Sequence, residues 1–122
     1  MALIDTMQSL DCPVITVGEG VVASMAAVIL ACGDHRQVYR HTQVLIHQLM
    51  GGTGMAQQTD IEIVAQHTAA MRAELDELLA EHGNLSAQEF HELTERDCWC
   101  NAKRALELGL VDEVVAPSKK AL

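Results

Sequence analysis

The chain has 122 residues, of which 49% are hydrophobic and only 2% aromatic, and its formal net charge is −9. That length suits one domain with a core of Leu, Val, Ile, Ala and Met. Nucleic acid and anionic membrane are ruled out as expected partners, because they call for clustered Lys/Arg and stacking rings.

No apolar run reaches the ~18 residues of a membrane span, and the opening Met1-Ala-Leu-Ile-Asp5 lacks the basic segment of a secretory signal. The cysteines, Cys12, Cys32, Cys98 and Cys100, are scattered apart from one Cys-x-Cys pair. Reduced thiols in a cytoplasmic protein are expected.

In chain order, residues 2–10 have helical composition and apolar spacing. Residues 13–17, Pro-Val-Ile-Thr-Val, predict a short buried strand ended by Gly18 and Gly20. The run Gly20–Leu30, "GVVASMAAVIL", predicts a buried helix from about Ser24, stopped near Cys32-Gly33. Residues 33–36 read as a polar turn, 37–39 as a short strand and 42–47 as a stronger one ending in His47. Met50-Gly-Gly-Thr-Gly54 is extended or flexible. Thr59-x-x-Glu62 has capping-box spacing and predicts a helix over 60–82, roughly 34 Å long, which projects from so small a domain. Ser86-x-x-Glu89 predicts a second helix to about Thr94, and Asn101 caps a third over 102–108 with Gly109 after it. Residues 110–115 form a final strand and 117–122 a frayed tail. Strands alternating with helices give an α/β class.

Ser24 follows a Gly-Glu-Gly turn and opens a helix, which exposes a hydroxyl where backbone N–H groups favour developing negative charge. The alternative is a residue small enough to pack beside Ala23 and Ala26. His47, at a strand end, is either a general base or a core-edge histidine with satisfied hydrogen bonds. Between two short helices, Asp97 is either the carboxylate that orients such a base, or a solvated acid or a cap. Cys98, Cys100 and His91 fall short of a zinc site for want of a second ligand pair, and read as partly buried thiols. Gly51-Gly52-Thr53-Gly54 is not a Walker loop, because no Gly-Lys-Ser/Thr follows.

Taken together, the strings "ALIDTMQ", "GVVASMAAVILACG", "VLIHQLMGG", "TDIEI", "ELLAEHG", "TERD" and "GLVDEV" resemble the ClpP family, the proteolytic subunits of ATP-dependent Clp proteases, within the ClpP/crotonase fold group. The resemblance runs from the N-terminus to about Val115. It implies a spiral of short strands and helices with a long handle helix, and a ClpP-like domain over 1–116. It also implies Ser24 as nucleophile, His47 as general base, Asp97 as third member of the triad and the Met25 backbone N–H as an oxyanion donor. Met50, Gly51 and Gly52 match the strand that pairs with an extended peptide. Implied partners are further copies of the chain, in heptameric rings stacked in pairs through the handle, an AAA+ Clp unfoldase and unfolded polypeptide substrates. No cofactor or metal is implied, since ATP is used by the unfoldase.

The chain also departs from the family. Relatives carry a substantial portion before the helix matched by "ALIDTMQ", with the axial loop, the first strands and a Pro-Gly-Gly segment that supplies the second oxyanion donor and the opposite wall of the cleft. Without it, an uncovered sheet edge and apolar surface are expected. The alternative is then an impaired ClpP-like assembly or regulatory subunit, since one oxyanion donor is worth ~10²–10³ in rate. Leu49 and Cys98-Trp-Cys100 also differ from the usual residues. A crotonase-type acyl-CoA enzyme shares the fold but leaves the Ser, His and Asp motifs unexplained.

Overall fold

The computed structural model describes residues 1–116. The tail expected over 117–122 lies outside the described residues. In order come α1 (Ala2–Gln8), β1 (Ile15–Gly18), β2 (Val21–Ala23), α2 (Met25–Ala31), β3 (His35–Tyr39), β4 (Gln43–Ile46), α3 (Gln58–His82), α4 (Ala87–Leu93), β5 (Cys98–Asn101), α5 (Ala102–Glu107) and β6 (Glu113–Val115).

The strands form two three-stranded sheets. One has the order β1-β3-β6 and is parallel throughout. The other has the order β2-β4-β5, with β2 parallel and β5 antiparallel to β4. The first four strands alternate between the sheets, so the chain spirals as the family resemblance implied. Gly20, at φ +66°, turns the chain from β1 into β2. Gly18 sits where a Cβ would come within 2.9 Å of Val38 Cγ1 on its own sheet and 3.1 Å of Val22 Cγ2 on β2, so its lack of side chain lets the two sheets approach.

The core lies between the sheets and α2, α4 and α5. Val38, Val44, Phe90, Cys100, Ala105 and Leu110 are all at 0% exposure. Phe90 anchors α4 under the C-terminal half of α3. The opposite half of α3 projects: residues 57–67 are all exposed, including Ile61, Ile63 and Val64. Among the described residues the outer strands β1 and β2 each pair on one side only, and Ile15, Val17 and Val21 are exposed on them.

Several elements differ from the sequence reading. Residues 21–23, read as the approach to a helix, are a strand, because Val21, Val22 and Ala23 find β4 partners at Gln43, Val44 and Leu45. β3 begins at His35, inside the expected turn, where it pairs with Ile15. The helix expected from Asp60 begins at Gln58. Its N-cap is Gln57 with no side-chain bond, so Thr59 lies inside the helix and its capping box does not form. Asp97 precedes a strand rather than joining two helices, because residues 98–101 pair antiparallel with β4. The other two caps form as expected. Ser86 and Glu89 exchange both bonds of a capping box, and Asn101 accepts from the Arg104 N–H.

Candidate active site

Ser24 is the joint between β2 and α2. Its backbone lies at φ 59° and ψ −130°, and among the described residues it is the one non-glycine with positive φ. Such a conformation costs roughly 1–3 kcal/mol unless its surroundings impose it. Here bonds on both sides impose it. The Ser24 N–H donates to Leu45 O at 2.9 Å, prolonging the β2–β4 ladder, and Ser24 O accepts from the Ala27 N–H at 2.9 Å. The side chain is left exposed at the helix start, with no capping bond. Beside it the Met25 N–H, in the first turn of α2, has no acceptor among the described residues.

His47 is the residue after β4. Its Nδ1 donates to Gln48 O at 2.6 Å. A carbonyl only accepts, so Nδ1 carries the proton and the neutral ring keeps its lone pair on Nε2. Ser24, Met25, His47 and Met50 line a cavity of about 290 Å³, walled by α2, the end of β4 and the inner half of α3. Asp97 is exposed and lines a neighbouring cleft of about 320 Å³ with His47 and Thr94. The fold therefore gathers Ser24 with His47, and His47 with Asp97. Neither a Ser24–His47 nor a His47–Asp97 hydrogen bond is formed among the described residues. Met50, Gly51 and Gly52 are exposed and belong to no strand. The two glycines line a groove beside Ile61 and Val64 of α3.

A polar cluster that the sequence reading missed fixes the two segments carrying His47 and Asp97. The Gln48 N–H donates to Thr94 O at 3.0 Å, and Gln48 Nε2 donates to Glu95 O at 2.8 Å. From α3, Arg72 donates to Gln48 Oε1 at 3.0 Å, His91 O at 2.9 Å and Glu95 Oε2 at 3.1 Å. Asp76, one turn further along α3, also lines the cavity. It is 5% exposed, and its Oδ2 accepts from His91 Nδ1 at 2.7 Å. Arg72 and Asp76 share a helix face with Leu75 and Leu79. A charged pair on the apolar stripe of an otherwise amphipathic helix was the signal that would have found them.

Among the described residues, no group of three or more His, Cys, Asp or Glu side chains is placed to hold a metal ion. No described helix is long and apolar enough to cross a membrane. The arrangement can present a hydroxyl, an unprotonated imidazole nitrogen and a backbone N–H around one cavity, which is the donor and acceptor set of acyl transfer.

Comparison with known proteins points the same way. A family model described as Clp protease matches residues 1–118. The chain is similar to proteins named ATP-dependent Clp protease proteolytic subunit. It is 39% identical over 118 residues to that of Lactococcus lactis subsp. cremoris (strain SK11), covering 94% of this chain and 59% of the relative. It is 40% identical over 121 residues to that of Streptococcus sanguinis (strain SK36), covering 97% and 62%. For Streptococcus pneumoniae (strain Hungary19A-6) the figures are 40% over 119 residues, 95% and 61%. The chain thus spans about three fifths of the length of these relatives. With the match running through both sheets, the Ser24 joint and the projecting helix, the chain belongs to the Clp protease family.

Proposed function

We propose that this chain is a serine endopeptidase of the Clp type, the proteolytic subunit of an ATP-dependent protease that cleaves unfolded polypeptides. The observation that carries this reading is the strained joint at Ser24, opening with His47 onto one cavity. Strain of that kind persists where the surrounding structure over-determines it, and it gathers at reactive sites. On this reading Ser24 Oγ attacks the peptide carbonyl. His47 Nε2 takes its proton and later gives it to the leaving amine. Asp97 stabilises the imidazolium once the ring turns from Gln48 O. The Met25 N–H donates to the oxyanion. Met50, Gly51 and Gly52 pair with the extended substrate as an added strand.

The family relationship supports a cytoplasmic assembly of several copies, in heptameric rings stacked in pairs. An AAA+ Clp unfoldase uses the ATP, and this chain needs no cofactor. The exposed apolar half of α3 fits a helix that is covered by another copy. A second reading, an impaired ClpP-like assembly or regulatory subunit, draws on the same geometry: His47 is bonded to Gln48 O, and Asp97 is hydrogen-bonded to neither Ser24 nor His47 among the described residues. A fluorophosphonate or β-lactone probe separates the two. The enzyme reading expects labelling on Ser24, lost in Ser24→Ala and in His47→Ala. Labelling that survives Ser24→Ala overturns the assignment. No labelling, with rings still formed, favours the second reading.

A further inference from the structure

Cys98 and Cys100 flank Trp99 on β5. Alternation along a strand puts both thiols on the same side, and their Sγ atoms lie 3.7 Å apart. Cys100 is at 0% exposure, while Cys98 is half-buried and Trp99 is 56% exposed. Burial first, and then the neighbouring Cys98, push the Cys100 thiol up to about 12. The two sulfurs therefore have unequal tasks. Cys98 can meet a reagent from solvent, and Cys100 waits behind it as a protonated thiol.

We infer that Cys98 and Cys100 form a thiol–disulfide exchange site for low-molecular-weight disulfides, which closes an intramolecular Cys98–Cys100 bond. The Cys98 thiolate attacks one sulfur of the oxidant, forming a mixed disulfide and expelling one thiolate. Cys100 then gives its proton to solvent and attacks Cys98 Sγ, expelling the second thiolate. Two protein thiols lose two electrons and two protons, and one small disulfide becomes two small thiols. The exchange stands apart from any peptidase activity of the chain.

The bond is reversible for a geometric reason. A strand rises about 3.3 Å per residue, so Cα atoms two residues apart are about 6.6 Å apart, near the ~6.8 Å upper limit for a disulfide. Closing the bond contracts β5, and a strained disulfide is readily reduced. The contraction falls on the Ile46–Cys98 and Val44–Cys100 register pairs. Ile46 precedes His47 and Cys98 follows Asp97, so the oxidised form shifts these two residues relative to each other.

The test uses the full chain with Cys12→Ser, which removes the exposed competing thiol, and oxidised glutathione as the probe. After alkylation under unfolding conditions, the expected result is loss of two alkylatable thiols. The mass falls by two hydrogens without a glutathione adduct, and the crosslink maps to the peptide Cys98-Trp99-Cys100. Trp99 emission changes at the same rate, and dithiothreitol reverses both changes. Cys100→Ser traps glutathione on Cys98, and Cys98→Ser leaves Cys100 unmodified. A stable glutathione adduct on Cys98 with Cys100 present, or full retention of both thiols, overturns the proposal. These readouts on the chain with both cysteines decide the matter even if a serine variant fails to fold.

Discussion

The imidazole of His47 donates from Nδ1 to the carbonyl oxygen of Gln48, the next residue in the chain, at 2.6 Å. In a catalytic triad a carboxylate holds that nitrogen. Here the main chain already sets the tautomer with Nε2 basic, while Asp97 stands exposed in the adjoining cleft. On the proposed mechanism Asp97 therefore acts on charge that develops during reaction and contributes little to the resting fold. Asp97→Asn is expected to slow probe labelling of Ser24 by up to ~10⁴-fold while moving stability by less than about 0.5 kcal/mol. Labelling kinetics beside urea denaturation give both numbers. An unchanged labelling rate would remove Asp97 from the mechanism.

Ser24 exchanges stability for presentation of its hydroxyl. Ser24→Ala keeps a Cβ at φ 59° and should leave stability nearly unchanged. Ser24→Gly relieves strain of roughly 1–3 kcal/mol and gives back roughly 0.5–1 in chain entropy, so a gain of about 1 kcal/mol is expected. Denaturation midpoints of the two variants check this. A glycine variant less stable than the alanine variant would mean that the joint carries no strain.

Arg36 ties together three elements. Its Nη1 donates to His82 O at 2.6 Å and to Gly109 O at 2.7 Å, and its Nε donates to Asp112 Oδ2 at 2.9 Å. The hydrogen bonds from the Arg36 side chain hold the Asp112 carboxyl below its ordinary value of 3.8. A depressed folded value means a contribution that is fully present above the unfolded value and lost as pH falls through the folded one. Asp112→Asn should therefore lower the thermal midpoint at pH 7, and the gap to the parent should close as pH drops below 3.8. A gap of constant size down to pH 2 would contradict the linkage. Arg36→Leu, which strands three carbonyls (Ala31, His82 and Gly109) and a carboxylate, is expected to cost about 2–4 kcal/mol at neutral pH.

Asp76 and His91 should respond unequally to substitution. Asp76→Leu removes a buried carboxylate and leaves His91, which is half-buried, free to turn to water, so its net effect on stability is small. His91→Ala leaves that carboxylate, 5% exposed, without its donor and should cost about 1–3 kcal/mol. Urea midpoints of both variants measure the asymmetry, and equal losses would refute it.

The fold was legible where its cause is local. Ser86 and Glu89 find each other three residues apart, so spacing alone predicted their capping box. Thr59 and Glu62 have the same spacing, yet α3 starts before them and their motif lies idle. The short strands β2 and β5 escaped because their reason is remote: Val21 is a strand residue through Gln43, and Cys98 through Ile46. At the site, the family motifs pointed to Ser24, His47 and Asp97, and the fold gathers all three around adjoining cavities. The positive φ of Ser24, the Gln48 carbonyl on His47 and the Arg72 hub were not legible. Each arises from backbone direction or from a partner far along the chain.

The alternation of strands between the two sheets has a kinetic consequence. Thr42 Oγ1 donates to Gly18 O at 3.0 Å and the Gln43 N–H donates to Gly20 O at 2.8 Å, so the two crossover corners are laced to each other. The β1-β3-β6 sheet is completed only when Glu113 reaches Gln37, a closure 76 residues long. Neither sheet can finish before most of the chain has left the ribosome, and contacts of such span form slowly. Until then the β3 edge that β6 will cover is open to other chains. For this molecule, assembly in time is as constrained as assembly in space: β3 must wait for β6 to close its second edge.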